Sequence, residues 1–295
     1  KFNVKVATFR ILYIPTGLSE ELNDKEIKAL KSKFLLNIND PIQTHDGSFG
    51  LGWNNVEVGR KLYQIETYEM PTPYLDGTFD NIIKSSEYKD WKFQMIFETN
   101  RGCPYKCTFC AWGVGFLSKK VKNFSLERVE DIIKWASENK IEFMCNADAN
   151  FGILKRDVDI AKYIRKVYEE TGTFASIEVY WSKSASDHIV EIGRILGHLT
   201  NTYIAFQSLD DGVLDAIKRS NISTTRLVSL IARLKEYTHT TRTDILVGLP
   251  GESFDSHLQS LDKALSYGVN DILGGEVQLL PGSEMNTRES RDKFG

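Results

Sequence analysis

Glu98-Thr-Asn-Arg-Gly-Cys-Pro-Tyr-Lys-Cys-Thr-Phe-Cys-Ala-Trp-Gly113 holds three of the four cysteines of this 295-residue chain, Cys103, Cys107 and Cys110. Cysteines spaced four and three residues apart cannot close the long, unstrained loops in which disulfides stabilise a domain. Thiolates at that spacing converge naturally on one metal centre. Arg101, Gly102, Pro104 and Lys106 mark an exposed loop, which argues against a trio of unligated core cysteines.

The ligand count sharpens this reading. A structural zinc site or an electron-carrying cluster takes four ligands from the protein. Here the run stops at three. Cys145 lies far downstream, and none of His45, His188, His198, His239 and His257 sits near the run. Three thiolates on a four-iron cubane leave one iron open to an exogenous ligand, an arrangement made for chemistry. A Cys3His zinc site completed by a remote histidine is the alternative that composition leaves open.

Working outward, 41% hydrophobic and 26% charged residues are enough for a full core, as one α/β domain or two unequal ones. A net charge of -3 gives no footprint for nucleic acid or an anionic membrane. No apolar run approaches the ~20 residues that span a bilayer, and no signal peptide is visible. Three clustered cysteines out of four point to a reducing compartment, so the cytoplasm is the expected location. The chain starts at Lys1 without methionine and stops after Phe294-Gly295, which reads as part of something longer.

Residues 1–69 read as a small α+β segment: a strand over 4–12, an amphipathic helix over 19–34 capped by Ser19, then loops over 37–59. His45-Asp46 could be pictured as a metal or base pair, but Thr-His-Asp-Gly reads better as a turn. Residues 70–90, containing Met70-Pro-Thr-Pro-Tyr74, form a proline-stiffened linker with an aromatic anchor. From 91 to 285 strands alternate with helices, and 286–295 begins a further extension. Strands are expected near 93–98, 141–146, 174–180, 202–207, 243–247 and 276–280. Helices with i, i+3, i+4, i+7 apolar spacing are expected from the Ser125 cap onward and over 157–170, 187–199, 224–237 and 254–267. Six strand-helix units imply parallel strands closed or nearly closed into a barrel, with a site at their carboxyl ends.

A CxxxCxxC run with Phe109 before its last cysteine, directly after a strand, resembles the cluster loop of radical S-adenosylmethionine (SAM) enzymes. The resemblance covers roughly residues 70–285 and implies a partial (βα)6 radical SAM barrel. It implies a 4Fe-4S cluster on Cys103, Cys107 and Cys110 whose open iron binds SAM, and cleavage of SAM to a 5'-deoxyadenosyl radical that abstracts hydrogen from an organic substrate. The proline-tyrosine linker is similar to that of the cobalamin-associated branch, many of whose members are methyltransferases. No DxHxxG-type cobalamin motif is present, and about 70 residues are too few for such a domain. Rearrangement, cyclisation or thiolation without cobalamin is the runner-up within the family. The resemblance further implies a small-molecule or natural-product substrate and an external electron donor such as flavodoxin or ferredoxin.

Residues at the strand ends supply the expected cofactor contacts. Asp148 and Asn150 offer acceptors where the family binds the SAM amino group. Lys183 and Ser182 follow the third strand, where a lysine aimed into the barrel mouth would hold a carboxylate. Gln207 and Ser208 match the family position that bonds ribose or the methionyl carboxylate. Arg219, in Lys218-Arg-Ser-Asn221, is the best carboxylate fork. The glycines of Val247-Gly248-Leu-Pro-Gly251 allow the close backbone approach that a stacked adenine requires, with Leu246 and Val247 flanking the base and Phe109 beside the cluster. Cys145 is most simply a buried strand residue.

Overall fold

A computed structural model describes residues 72–112, 121–183, 187–238 and 240–294, and the backbone of three upstream strands. Those strands, β1 (Ile38–Ile42), β2 (Asn55–Val58) and β3 (Lys61–Ile65), form an antiparallel sheet in the order β1-β3-β2. Two of them fall where loops are expected. Pairing with β3 overrides the turn-forming composition there, as tertiary context often does. The expected strand over 4–12, the helix over 19–34 and the His45-Asp46 pair lie outside the described residues.

The alternating region carries six parallel strands. β4 (Gln94–Phe97), β7 (Phe143–Phe151) and β8 (Ser176–Trp181) make one sheet in the order β4-β7-β8. β9 (Thr202–Tyr203), β10 (Thr241–Val247) and β11 (Asp271–Glu276) make a second, in the order β11-β10-β9. The two meet where β8 runs beside β9: the Trp181 indole donates to Asn201 O at 3.0 Å and the Tyr180 and Tyr203 rings lie edge to face. Between β4 and β7, the two-residue ladder of β5 (Asn100–Arg101) with β6 (Lys122–Asn123) ties the base of the cysteine loop.

The helices obey the apolar spacing. Short α1 (Asp80–Ile83) precedes the barrel, and α2 (Leu126–Glu138) starts at Ser125, whose hydroxyl accepts from Arg128 N at 3.2 Å. α3 (Arg156–Thr171), α4 (Asp187–Leu196), α6 (Thr224–Lys235) and α7 (Phe254–Ser266) fall where expected, with α8 (Arg288–Phe294) last. The helix expected over 187–199 stops at Leu196 and tightens into a 3-10 turn. Two features depart further. α5 (Asp211–Ala216), capped by Asp210, is too short for periodicity to reveal. The sixth strand lies at Asp271–Glu276 rather than 276–280. Leu279-Leu280 drew the expectation, but Pro281-Gly282 ends their reach, and pairing with β10 imposes strand on Gly274-Gly275.

Strand alternation sorts the faces. Met95, Phe97, Met144, Ile177 and Val179 share one core with Val129, Ile133, Ile160, Ile164 and Ile189 of the helices. Ile96, Cys145, Glu178 and Tyr180 alternate with them and stay partly or largely exposed, facing the barrel interior. Tyr74 of the linker packs on Trp135 of α2, ring centroids 5.0 Å apart, and its hydroxyl donates to Ile96 O. Burial raises that phenol to about 12, against the pull of this bond.

The turn from β7 into α3 is held by one side chain. Asp157, fully buried, accepts from Gly152 N at 2.8 Å and Leu154 N at 3.0 Å. Gly152 has φ +88°, and a Cβ there would meet Ile189 Cγ1 at 2.9 Å. Asp157→Ala strands two backbone donors and is expected to cost about 1–3 kcal/mol in urea unfolding. Gly152→Ala adds left-handed strain to a clash and should destabilise as well; wild-type midpoints for both would refute this account of the turn.

Candidate active site

The strand ends surround a cavity of about 390 Å3 lined by Cys103, Cys107, Phe109, Cys110, Asp148, Asn150, Lys183, Gln207 and Arg219 among others. Nine of the residues singled out in the sequence therefore meet in one place, drawn from the cysteine loop, β7, the ends of β8 and β9, and the turn after α5. Among the described residues no three His, Cys, Asp or Glu side chains sit close enough to share one metal ion. The three thiols face a common space rather than a common point.

Each sulfur has a polar neighbour. Asn150 Nδ2 donates to Cys103 Sγ at 3.1 Å, Lys183 Nζ to Cys107 Sγ at 3.0 Å, and Trp112 N to Cys110 Sγ at 3.4 Å. Arg219 Nη1 stands 3.9 Å from Cys107 Sγ, while its Nη2 donates to Ala205 O and its Nε to Asn221 Oδ1 at 3.0 Å. Burial lowers both cations, and their mutual repulsion adds to the fall at Lys183. Lys183 also lies 4.0 Å above the Tyr105 ring. Burial, more than the neighbouring thiols, raises the Cys110 thiol.

The loop is anchored at its centre. Thr108 N donates to Ile217 O at 3.0 Å, and Thr108 O accepts from Met285 N at 2.9 Å. Phe109 packs on the small cluster of Val213, Leu214, Ile217, Leu249 and Met285. α5 and the turn at Glu284–Asn286 thus hold the cysteines, a role that no motif announces.

Asp148 does something other than offer acceptors to a ligand. It is 0% exposed, and both its oxygens are taken. Thr99 N donates to Oδ1 at 2.7 Å, Asn100 N to Oδ1 at 3.1 Å and Asn100 Nδ2 to Oδ2 at 2.8 Å, with the Thr99 hydroxyl also on Oδ2. It therefore clamps the entry of the cysteine loop. Ser182, Ser208, Val247 and Gly248 do not line the cavity. The Ser208 hydroxyl accepts from Asp210 N at 3.2 Å ahead of α5, Ser182 is buried, and Val247 points to solvent. Gly248, at φ +85°, donates its N–H to Glu252 Oε2 at 2.7 Å, and Glu252 Oε1 meets His257 Nδ1 at 2.9 Å. Trp112, Tyr180, Trp181, Tyr203, Ala205 and Asp244 line the cavity without having been singled out.

A family model described as "Radical SAM superfamily" matches residues 97–264, more than half of the chain. The chain belongs to the radical SAM superfamily. Membership implies a 4Fe-4S cluster and SAM as cofactors, and the matched span contains the cysteine loop and all the cavity residues named above. Among curated proteins, this radical SAM chain is 36% identical over 231 residues to the 2-(S-pantetheinyl)-carbapenam-3-carboxylate methyltransferase of Streptantibioticus cattleyicolor. It is 32% identical over 231 residues to the cobalamin-dependent radical SAM methyltransferase TokK of Streptomyces tokunonensis. Each match covers 77% of this chain and 34% of the relative, so the chain spans about a third of the length of these proteins. Among solved structures, the radical SAM methyltransferase TsrM of Kitasatospora setae, bound to tryptophan and a SAM analog, superposes with a TM-score of 0.58 at 15% identity. It covers 68% of this chain and 39% of that one, and the likeness is one of fold. No helix among the described residues is long and apolar enough to cross a membrane.

Asp148 yields a test of how the radical SAM loop is held. Burial pushes its carboxyl up to about 7 despite four donors, and the Thr99 hydroxyl is the one partner able to accept its proton. A carboxyl raised in the folded state contributes stability below its unfolded value, lost as pH climbs through the folded one. The stability of wild type relative to Asp148→Asn should therefore fall between about pH 4 and pH 7. Asp148→Ala should cost about 2–4 kcal/mol and lower iron retained after reconstitution. A pH-independent difference between wild type and the asparagine variant would remove the titration argument.

Proposed function

We propose that this chain is the catalytic barrel, spanning 91–285 after a linker at 70–90, of a cobalamin-dependent radical SAM methyltransferase acting on a small organic molecule. The observation that carries the reading is three thiols facing one cavity beside the buried Arg219 and the half-buried Lys183, inside the span matched by the family model. The methyl-transfer part is supported by the two curated relatives, whose names both state that activity.

The residues fit the cofactors the family requires. Three soft sulfurs suit iron, and Asn150 and Lys183 direct N–H donors at two of them. Lys183 and Arg219 offer charge and a planar fork for the methionyl carboxylate of SAM. Gln207, held at φ +68° with Oε1 unpartnered among the described residues, adds a polar group to the same wall. When bound, the cluster and SAM supply a 5'-deoxyadenosyl radical, and cobalamin supplies a methyl group to be transferred. The chain's own work is placement. Asp148 fixes the loop entry and Thr108 fixes its centre. An external one-electron donor, flavodoxin or ferredoxin, completes the assignment.

The test uses the complete gene product, reconstituted anaerobically with iron and sulfide, reduced in the presence of SAM and assayed by mass spectrometry. Formation of 5'-deoxyadenosine, abolished in Cys107→Ala, is expected. Added S-adenosylhomocysteine that depends on cobalamin would establish methyl transfer. A fully loaded cluster that yields neither product, even with candidate substrates, would sink the assignment.

A further inference from the structure

The cavity has two chemically different ends. At the cysteine end stand Lys183 and Arg219. Away from the sulfurs, inward-facing positions of β8, β9 and β10 bring together Tyr180, Tyr203 and Asp244, which line the same space. The Tyr203 hydroxyl donates to Asp244 Oδ2, and the Tyr180 ring meets Tyr203 edge to face, centroids 5.7 Å apart at 86°. Asp244 Oδ1 has no hydrogen-bond partner among the described residues. Glu178 lies two residues before Tyr180 on the same face of β8. Arg242, two residues before Asp244, is committed to Asp271 at 2.7 Å, and Arg219, across the cavity floor, is the cation whose charge acts most on Asp244.

Acceptors therefore dominate this end, and aromatic faces wall it. Desolvation raises the Asp244 carboxyl, takes the Tyr180 phenol to about 12 and, with the bond to Asp244, raises that of Tyr203 too, so both tyrosines keep their protons at neutral pH. A half-buried carboxylate with one open oxygen, beside two aromatic rings, is matched by a group rich in N–H donors and carrying positive charge. A carboxylate-bearing ligand entering the same end would meet Asp244 and Glu178.

We propose that Asp244, Tyr180 and Tyr203 form a substrate subsite that takes a primary ammonium or similar N–H-rich cationic group on an apolar or aromatic body. The rest of that molecule extends toward the three cysteines. The direction of the substrate rests on the radical SAM reading above; the ammonium preference rests on the cavity alone.

The probes are phenethylammonium and 3-phenylpropionate, of similar size and opposite charge, titrated by calorimetry into the reconstituted complete protein. Phenethylammonium should bind at least about tenfold more tightly. Asp244→Asn should erase that preference, and Tyr203→Phe should weaken phenethylammonium binding several-fold. Equal binding of the two probes to wild type, or an undiminished preference in Asp244→Asn, overturns the subsite. The probe result decides this whether or not 5'-deoxyadenosine is formed, since that product tests the parent reading independently.

Discussion

A carboxylate sealed from water is costly unless donors surround it. Asp148 meets that demand with the backbone and side chains of Thr99 and Asn100, the two residues that open the cysteine loop. The pairing of β4 with β7 thus has a polar lock at its top end, where apolar packing stops. Two residues further along β7, Asn150 donates to Cys103. One nine-residue strand accordingly fixes both where the loop leaves the sheet and how its first sulfur is oriented. Burying the lock costs solvation, and the satisfied donors offset that cost only in this geometry, which makes the site's position specific rather than merely stable.

Much of this was legible beforehand, for reasons that differ by element. The long helices were readable because their apolar stripes repeat over three or more turns, as in Ile160, Ala161, Ile164 and Val167 of α3. The cysteine loop was readable because ligand spacing is local. What escaped has a common cause: it depends on partners distant in sequence. Gly274-Gly275 become strand only because Ile245-Leu246 lie alongside. Asp148 looks like an available acceptor until Thr99 and Asn100 are seen to occupy it. Tyr180, Tyr203 and Asp244 sit on strands without a motif, and only strand alternation combined with the β8–β9 junction brings them to one wall.

The polarity of the cavity follows from the same alternation. Outward positions of the strands fill the helix-facing core, so chemical variety is confined to inward positions and strand ends. The loop end gathers sulfur and cations, whereas the interior gathers phenols and carboxylates. A molecule lying between them meets cations at one end and carboxylates at the other.

The two backbone bonds of Thr108 carry a consequence for assembly. A loop of this length, free between its ends, would lose conformational entropy when its sulfurs are gathered around a guest. Here the central residue is already pinned to Ile217 and Met285, so most of that ordering is completed when the polypeptide folds. Metal loading then reads out the integrity of remote parts of the chain. Loosening the turn at Glu284–Asn286 would return disorder to the cysteines and weaken iron affinity, although that turn contributes no ligand of its own.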